Sequence, residues 1–250
     1  MRLDLFLVEQ GFFASRTKAQ KAIEAGAVKV SGTIITKSNF EVSEADSLEI
    51  IKDTNPYVSR GGLKLEAAIE NFQLDFKNKK VLDIGSSTGG FTDCALKHGA
   101  ALVYAVDVGT NQLDNSLRER EDVIVWEQTN ILDVAAFPVD FDFIVMDVSF
   151  VSIEKILPAI ERFLKEDSTF ICLIKPQFEV GKMYLKNGIV KDRTLHIKVL
   201  EKNIAVLEMY HLGITKLIAS PILGGSGNKE FLACIRKNAK TRINVIEVCK

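Results

Sequence analysis

Short apolar runs alternate with amphipathic segments over residues 63–250, and this alternation limits the possible folds. The run FICLI at 170–174 has the length of a buried strand, and Pro176 ends it because proline cannot donate to a sheet ladder. SIEKILPAIERFL at 152–164 has helical spacing instead. Strands that alternate with helices predict an α/β fold with a mostly parallel sheet. The last two runs, joined by a glycine-rich loop, predict an antiparallel hairpin that closes this sheet.

The first 54 residues have a different pattern. RLDLFLVEQG and SRTKAQKAIEAG predict two short helices, with Ser15 as a cap, and AVKVSGTIITK and DSLEII predict short strands. Asn-Pro and Gly-Gly in the next segment indicate a linker. We therefore predict a small α+β domain at 1–54, a linker at 55–62 and a larger domain at 63–250.

Composition excludes several kinds of protein. The formal net charge is -1, so any site for a polyanion must be local. The four cysteines have no paired spacing, which argues against both a disulfide framework and a metal site. No run approaches the roughly 20 apolar residues of a membrane helix. The N-terminus lacks a signal-peptide cleavage pattern, so we expect a cytoplasmic protein without a membrane partner.

A glycine loop follows the first predicted strand of the larger domain, in VLDIGSSTGGFTDCAL. Glycines here would let a ligand approach the backbone at a helix N-terminus. Asp83 disfavours a diphosphate but suits an ammonium group, as in S-adenosylmethionine, and Asp107 can accept both hydroxyls of a ribose. The alternative is a glycine-rich turn with a structural aspartate. The candidate cofactor contacts are Asp83, Gly85, Ser87, Gly89, Gly90, Phe91, Asp107 and Asn130.

Two charged residues follow later strands, Asp147 in VMDVSF and Lys175 in LIKPQF. The carboxyl ends of parallel strands form the edge at which ligands bind in open α/β sheets. A carboxylate beside lysines suits a hydroxyl acceptor, and the Asp/Asn-Pro-Pro-aromatic pattern of amine methylation is absent. The alternatives are that Asp147 caps the following helix and that Lys175 extends from a strand end into water.

Five segments, GGLKLEAAI, DIGSSTGGFTDCAL, MDVSF, IKPQFE and GSGNKEFL, together resemble the TlyA family within the FtsJ-like methyltransferases. Members are known both as haemolysins and as ribosomal RNA 2′-O-methyltransferases. SRTKAQKAIEAGAVKVSG is similar to the RNA-binding domain named after small-subunit ribosomal protein S-four. The resemblance spans nearly the whole chain. It implies a Rossmann-like methyltransferase that uses S-adenosylmethionine to methylate cytidine ribose in ribosomal RNA, in the large subunit and in some members also in the small subunit.

The resemblance further implies a catalytic tetrad of Lys64, Asp147, Lys175 and Glu230. Lys175 would either remove the proton of the ribose 2′-hydroxyl or only position that hydroxyl. The candidate RNA contacts are Arg2, Arg16, Lys18, Lys21 and Arg60. Three other functions are possible on the sequence alone: a membrane-active haemolysin, an RNA-binding protein with an inactive methyltransferase fold, and a nicotinamide-dependent oxidoreductase.

Overall fold

The computed structural model describes residues 1–13, 15–24, 26–51 and 55–250, without the side chain of Lys21. Contacts divide these residues into two units, Met1–Pro56 and Tyr57–Lys250. Residues 57–62, predicted as linker, belong to the second unit. Tyr57 is buried there, and the backbone N–H of Val58 donates to the Asp93 carboxylate over 2.9 Å. Residues 55 and 56 of the predicted linker belong to the first unit, and residues 52–54, the end of the predicted first domain, lie outside the described residues.

The first unit pairs two helices with a small antiparallel sheet. The helices are α1 (Leu3–Glu9) and α2 (Arg16–Glu24), and the strands are β1 (Val28–Val30), β2 (Thr33–Ile34) and β3 (Leu48–Ile50), in the order β2-β1-β3. Leu3, Leu7 and Ile23 are fully buried in its core together with Val28. This is the predicted α+β arrangement, because the apolar positions of both helices face the sheet.

A seven-stranded sheet forms the centre of the second unit. Its strands are β4 (Lys80–Ile84), β5 (Leu102–Val106), β6 (Val123–Trp126), β7 (Phe143–Met146), β8 (Thr169–Ile174), β9 (Leu212–Ala219) and β10 (Phe231–Lys237). The order is β6-β5-β4-β7-β8-β10-β9. β10 is antiparallel to both of its neighbours, and the remaining pairs are parallel. The predicted mostly parallel α/β sheet with a closing antiparallel hairpin is confirmed.

Helices cover both faces of this sheet. They are α3 (Gly61–Phe72), α4 (Gly90–Lys97), α5 (Asn115–Arg118), α6 (Ile153–Phe163), α7 (Pro176–Glu179), α8 (Arg193–Met209) and α9 (Val245–Val248), with short 3-10 turns at Ile131–Asp133 and Lys182–Tyr184. Alternate residues of β8 enter different cores: Phe170 and Cys172 pack with α6 and α8, whereas Ile171 packs with α3 and α4. The strand is therefore apolar throughout because both of its faces are covered.

None of the helices in the described part of the chain has both the length and the apolar character needed to cross a bilayer. The four cysteines are buried free thiols.

Candidate active site

The carboxyl ends of β4, β7 and β8 border a cavity of about 320 Å³. Gly85, Asp147 and Lys175 follow these strands directly, and all three line the cavity. Because the strands are parallel neighbours, residues that are far apart in the sequence meet at this edge. The cavity lies where the sequence predicted a ligand.

The four predicted tetrad residues meet in an ion-paired chain. Lys175 Nζ lies 2.6 Å from Asp147 Oδ1, Lys64 Nζ lies 3.6 Å from Asp147 Oδ2, and Lys64 Nζ donates to Glu230 Oε2 over 2.8 Å. They come from α3, the ends of β7 and β8, and the residue before β10. Each lysine is balanced by a carboxylate, so the buried charges are compensated.

Lys175 does not extend into solvent. Its side chain is 10% exposed, its ammonium donates to Ser149 Oγ over 2.8 Å, and it lies 5.8 Å from the centre of the Phe178 ring. Asp147 is not seen to cap α6, since Glu179 Oε1 accepts the N–H of Ile153. The geometry therefore favours the paired site over both simpler interpretations.

Two residues of this site were not predicted. Gln177 donates from Nε2 to Glu230 Oε1 over 2.9 Å, and Ser149 accepts from Lys175. Gln177 lies within IKPQFE and Ser149 within MDVSF, but neither side chain carries a charge that would mark it as part of a site. Asp147 Oδ1 has no aligned hydrogen-bond donor among the described residues, although it is ion-paired with Lys175.

Two buried polar atoms without partners lie at the base of the glycine loop. Asp83 is fully buried, and its Oδ2 accepts from Thr92 Oγ1 over 2.6 Å, while its Oδ1 and Ser86 Oγ lack hydrogen-bond partners in the described chain. Burial raises the pKa of Asp83 to about 7, and the charges of Asp147 and Asp107 contribute. Unpaired buried groups are costly, so these atoms suit a ligand that supplies the missing bonds.

The glycines of the loop pack against protein as well as bordering the cavity. Gly89 has a φ of 97°, and a β-carbon there would collide with Leu113 and Leu117. A β-carbon at Gly90 would collide with the Ser59 side chain and crowd the Gly62 backbone. The predicted reason for these glycines, access for a ligand, is therefore incomplete: Gly89 permits a left-handed turn, and Gly90 lets α4 approach α3.

The predicted cofactor contacts do not all lie at the cavity. Its lining includes Gly85, Ser87, Gly90 and Phe91, together with Ser86, which the sequence did not single out. The predicted contacts outside the lining are Asp83, Gly89, Asp107 and Asn130.

Asp107 and Asn130 already bond to the backbone. The two Asp107 oxygens accept from the N–H groups of Ser87, over 2.9 Å, and Gly109, over 2.7 Å. The side chain of Asn130 accepts from the N–H of Leu132 over 3.1 Å. A ribose at Asp107 would therefore use the remaining lone pairs of that carboxylate.

Comparison with known proteins identifies the family. A model described as FtsJ-like methyltransferase matches residues 57–237, and a model described as S4 domain matches residues 1–48. The chain belongs to the FtsJ-like methyltransferase family. Hemolysin A of Brachyspira hyodysenteriae is 43% identical over 93% of this chain and 98% of its own length. The 16S/23S rRNA (cytidine-2′-O)-methyltransferase TlyA of Mycobacterium tuberculosis is 38% identical over 94% of this chain and 89% of its own length.

A solved structure agrees with this assignment. A Streptococcus thermophilus protein that carries the name hemolysin is 39% identical, with a TM-score of 0.80 over 100% of this chain and 94% of its own. Proteins named as hemolysins and as methyltransferases therefore fall within the same family as this chain. The resemblance found in the sequence, to an S4 domain joined to an FtsJ-like methyltransferase, is confirmed.

A carboxylate of the methyltransferase unit was missed. Glu127, directly after β6, accepts from the backbone N–H groups of Asn111, Gln112 and Leu113 and from the Arg118 guanidinium. Burial opposes its ionisation, but these donors lower its pKa to about 2. The sequence offered one signal, an acid directly after an apolar strand, but not its partners.

Two candidate RNA contacts of the S4 unit share one buried anion. Arg2 and Arg16 each pair with Asp4, over 3.0 and 2.9 Å, and Gln20 donates to the same carboxylate. Asp4 is fully buried, whereas the two arginine side chains are 42% and 51% exposed. The ion pairs with Asp4 thus fix the position of both guanidinium groups, and their remaining N–H groups are exposed to solvent.

The other RNA candidates are less constrained. Lys18 is exposed on α2, and the side chain of Lys21 lies outside the described part of the chain. Arg60 belongs to the methyltransferase unit, where it lines the cavity and donates to the carbonyl of Leu223 over 3.4 Å.

Proposed function

We propose that this protein transfers the methyl group of S-adenosylmethionine to the 2′-hydroxyl of a cytidine ribose in ribosomal RNA. The observation that carries the proposal is the chain Lys175, Asp147, Lys64 and Glu230 at the edge of the cavity. The TlyA relative named for cytidine-2′-O methylation supports the acceptor. Such a substrate is consistent with the expected cytoplasmic location.

The cavity and its surroundings fit the cofactor. The unpaired Asp83 Oδ1 suits an ammonium group, and Ser86 Oγ can bond the adjoining carboxylate. Gly85, Ser87, Gly90 and Phe91 would then contact the cofactor, and Asp107 would hold its ribose. Gly89 would act through loop shape, and Asn130 through the turn it caps.

The tetrad would position and activate the acceptor. When bound, the cofactor supplies an electrophilic methyl group on a sulfonium. Lys175 and Asp147 are in direct contact, so one ribose hydroxyl placed beside the pair could bond to both side chains. Lys64 is held between Asp147 and Glu230, and it fixes the orientation of the Asp147 carboxylate that also pairs with Lys175. As the 2′-oxygen bonds the methyl group, its proton passes to the Lys175 amine, and the ammonium that results stays paired with Asp147.

We also propose that residues 1–54 act as an RNA-binding domain that docks on ribosomal RNA, and that residues 63–250 act as the catalytic domain. Arg2, Arg16, Lys18 and Lys21 would contact phosphates from the first, and Arg60 from the rim of the cavity. The S4 match over residues 1–48 supports this division of labour.

The experiment that tests the acceptor chemistry is methylation of ribosomal subunits with labelled S-adenosylmethionine, followed by alkaline hydrolysis of the RNA. A methylated 2′-oxygen cannot attack its phosphodiester, so the label should be recovered in an alkali-resistant dinucleotide that contains cytidine. Lys175→Ala serves as the inactive control. Label in an alkali-sensitive mononucleotide that carries a methylated base would contradict the proposal.

A further inference from the structure

We infer that Glu127 is a positioning residue that holds residues 108–113 in the shape that the cofactor's nucleoside requires. The inference rests on the proposed function, because it assumes that Asp107 binds the cofactor ribose. Glu127 itself does not line the cavity. Its effect would be exerted through the backbone that it fixes.

The contacts of Glu127 converge on one turn of the chain. Its Oε2 accepts from Asn111 N–H over 2.7 Å, and its Oε1 accepts from Gln112 and Leu113 N–H over 2.8 and 3.1 Å. Arg118 Nη2 lies 2.7 Å from the same Oε1, and the Glu127 side chain is 11% exposed. Three successive N–H groups that donate to one carboxylate form an anion-binding turn, so the shape of this turn depends on that anion.

The same segment is joined at its start to the candidate ribose ligand. The N–H of Thr129 donates to the Asp107 carbonyl over 2.9 Å, and the N–H of Gln128 donates to the Gly109 carbonyl over 2.9 Å. Asp107 Oδ1 accepts from the Gly109 N–H. The orientation of the Asp107 carboxylate thus depends on the backbone that follows it, which Glu127 holds in place.

At its far end the segment supports the glycine loop. Leu113 is buried and packs under Gly89, and the N–H of Asp114 donates to the Thr88 carbonyl over 3.1 Å. The Ser87 N–H in turn donates to Asp107 Oδ2. A shift of residues 111–113 would therefore move both the glycine loop and the ribose ligand.

A carboxylate is needed here because every neighbour is a donor. Glutamine at position 127 would offer one oxygen and an amide NH₂ group. The NH₂ group would face backbone N–H groups, and two donors cannot bond to each other. Hydrogen bonds to a charged group are stronger than those to a neutral one, so the exchange should loosen the segment even though the side chains have the same size. Aspartate would keep the charge but fall short by one methylene.

The test compares Glu127→Gln with Glu121→Gln in the full-length protein. Glu121 is an exposed glutamate just before β6, so the control makes the same chemical change on the surface. Calorimetric titration with S-adenosylmethionine should show a dissociation constant raised about tenfold or more in Glu127→Gln and unchanged in Glu121→Gln. Hydrogen exchange should accelerate at the amides of Asn111, Gln112 and Leu113 but not within β4.

Kinetics separate positioning from a general loss of structure. In Glu127→Gln, the KM for the cofactor should rise while kcat at saturating cofactor and the affinity for ribosomal subunits stay near wild type. Wild-type cofactor affinity, or equal changes in cofactor and RNA affinity, would overturn the inference. If Glu127→Gln does not fold, Glu127→Asp decides: a raised dissociation constant supports the inference and a wild-type one overturns it.

Failure of the inference can be told from failure of the proposed function. Asp107→Ala tests the ribose site directly. Lost cofactor binding in Asp107→Ala beside normal binding in Glu127→Gln would reject only the positioning role. Normal binding in both variants would reject the cofactor site itself.

Discussion

At the scale of single residues, Lys175 is tightly confined, by Asp147 at 2.6 Å, Ser149 at 2.8 Å and the Phe178 ring. We expect Lys175→Arg to be almost as inactive as Lys175→Ala, with cofactor binding retained in both. A guanidinium stays protonated and is a broad planar fork, whereas this space fits a compact amine. Single-turnover methylation of ribosomal subunits should show rates lowered by about a hundredfold or more.

A matched control for this substitution is Lys198→Arg, at an exposed position on α8. It should keep the wild-type rate, since it changes the same chemical group on the surface. Calorimetry with S-adenosylmethionine should give the same affinity for all three variants, because the role belongs to the transition state. A wild-type rate for Lys175→Arg would reduce Lys175 to a structural charge.

The raised pKa of Asp83 predicts that cofactor binding releases protons. Because burial raises its pKa to about 7, a fraction of the free protein carries a proton there near pH 7. Pairing with a ligand ammonium favours the carboxylate, so binding should release a fraction of a proton per protein molecule at that pH. Titration in two buffers of different ionisation enthalpy measures this directly. Equal heats in both buffers would show that the ammonium does not pair with Asp83.

In the free protein, Asp83 should make stability depend on pH in the direction opposite to that of an ordinary ion-paired aspartate. The folded state holds the Asp83 proton more tightly than the unfolded state does, so the free energy of unfolding should fall as pH rises from about 4 through 7. Asp83→Asn should remove this part of the pH dependence, as followed by urea unfolding at several pH values. An unchanged slope in the variant would assign the dependence to other groups.

At the scale of elements, the strand order explains which site residues could be predicted. Asp147 and Lys175 end apolar strands, and that pattern is visible without the structure. Glu230 reaches Lys64 because β10 lies beside β8, with Phe231 opposite Ile174. Periodicity indicated a hairpin but not which of its strands would adjoin β8; Glu230 was predicted only through family resemblance. The Gln177 bond to Glu230 depends on the same pairing, so it remained invisible.

The helix pair of the S4 unit yields a further prediction. Asp4 holds Arg2 on one helix end and Arg16 on the other helix, so Asp4→Asn should weaken RNA binding although the residue itself is buried. The salt dependence of RNA affinity should become shallower, because Arg2 and Arg16 lose the ion pairs that position them for phosphate contacts. Glu9→Gln, at the exposed end of α1, is the matched control. Wild-type affinity and salt slope in Asp4→Asn would remove these arginines from the RNA site.

The ion pairs of Asp4 with the two arginines should make the stability of the S4 unit depend on pH in a defined direction. Burial opposes ionisation of Asp4, but Arg2, Gln20 and Arg16 lower its pKa well below the ordinary value. Its stabilising contribution is therefore present above about pH 4 and lost as pH falls further. The protection factors of the β1 amides, which correct for the intrinsic exchange rate at each pH, should fall in acid in the wild-type protein, and this fall should be smaller in Asp4→Asn.

At the scale of the whole molecule, the two units have separate cores. Leu3, Leu7 and Ile23 form part of one, and the faces of the large sheet form the others. A fragment that starts at Asn55 keeps every residue of the tetrad and of the candidate cofactor site. We expect it to bind S-adenosylmethionine with wild-type affinity but to methylate ribosomal subunits at well under a tenth of the wild-type rate, because RNA docking is assigned to residues 1–54.

The comparison needs both a binding and a rate measurement. Calorimetry with S-adenosylmethionine shows whether the fragment is folded, so a low rate with intact cofactor binding isolates the docking step. Adding RNA at high concentration should restore part of the rate, since the catalytic residues are unchanged and only affinity is lost. Full activity of the fragment at low subunit concentration would mean that the methyltransferase unit recognises its substrate alone, and the S4 unit would then need another role.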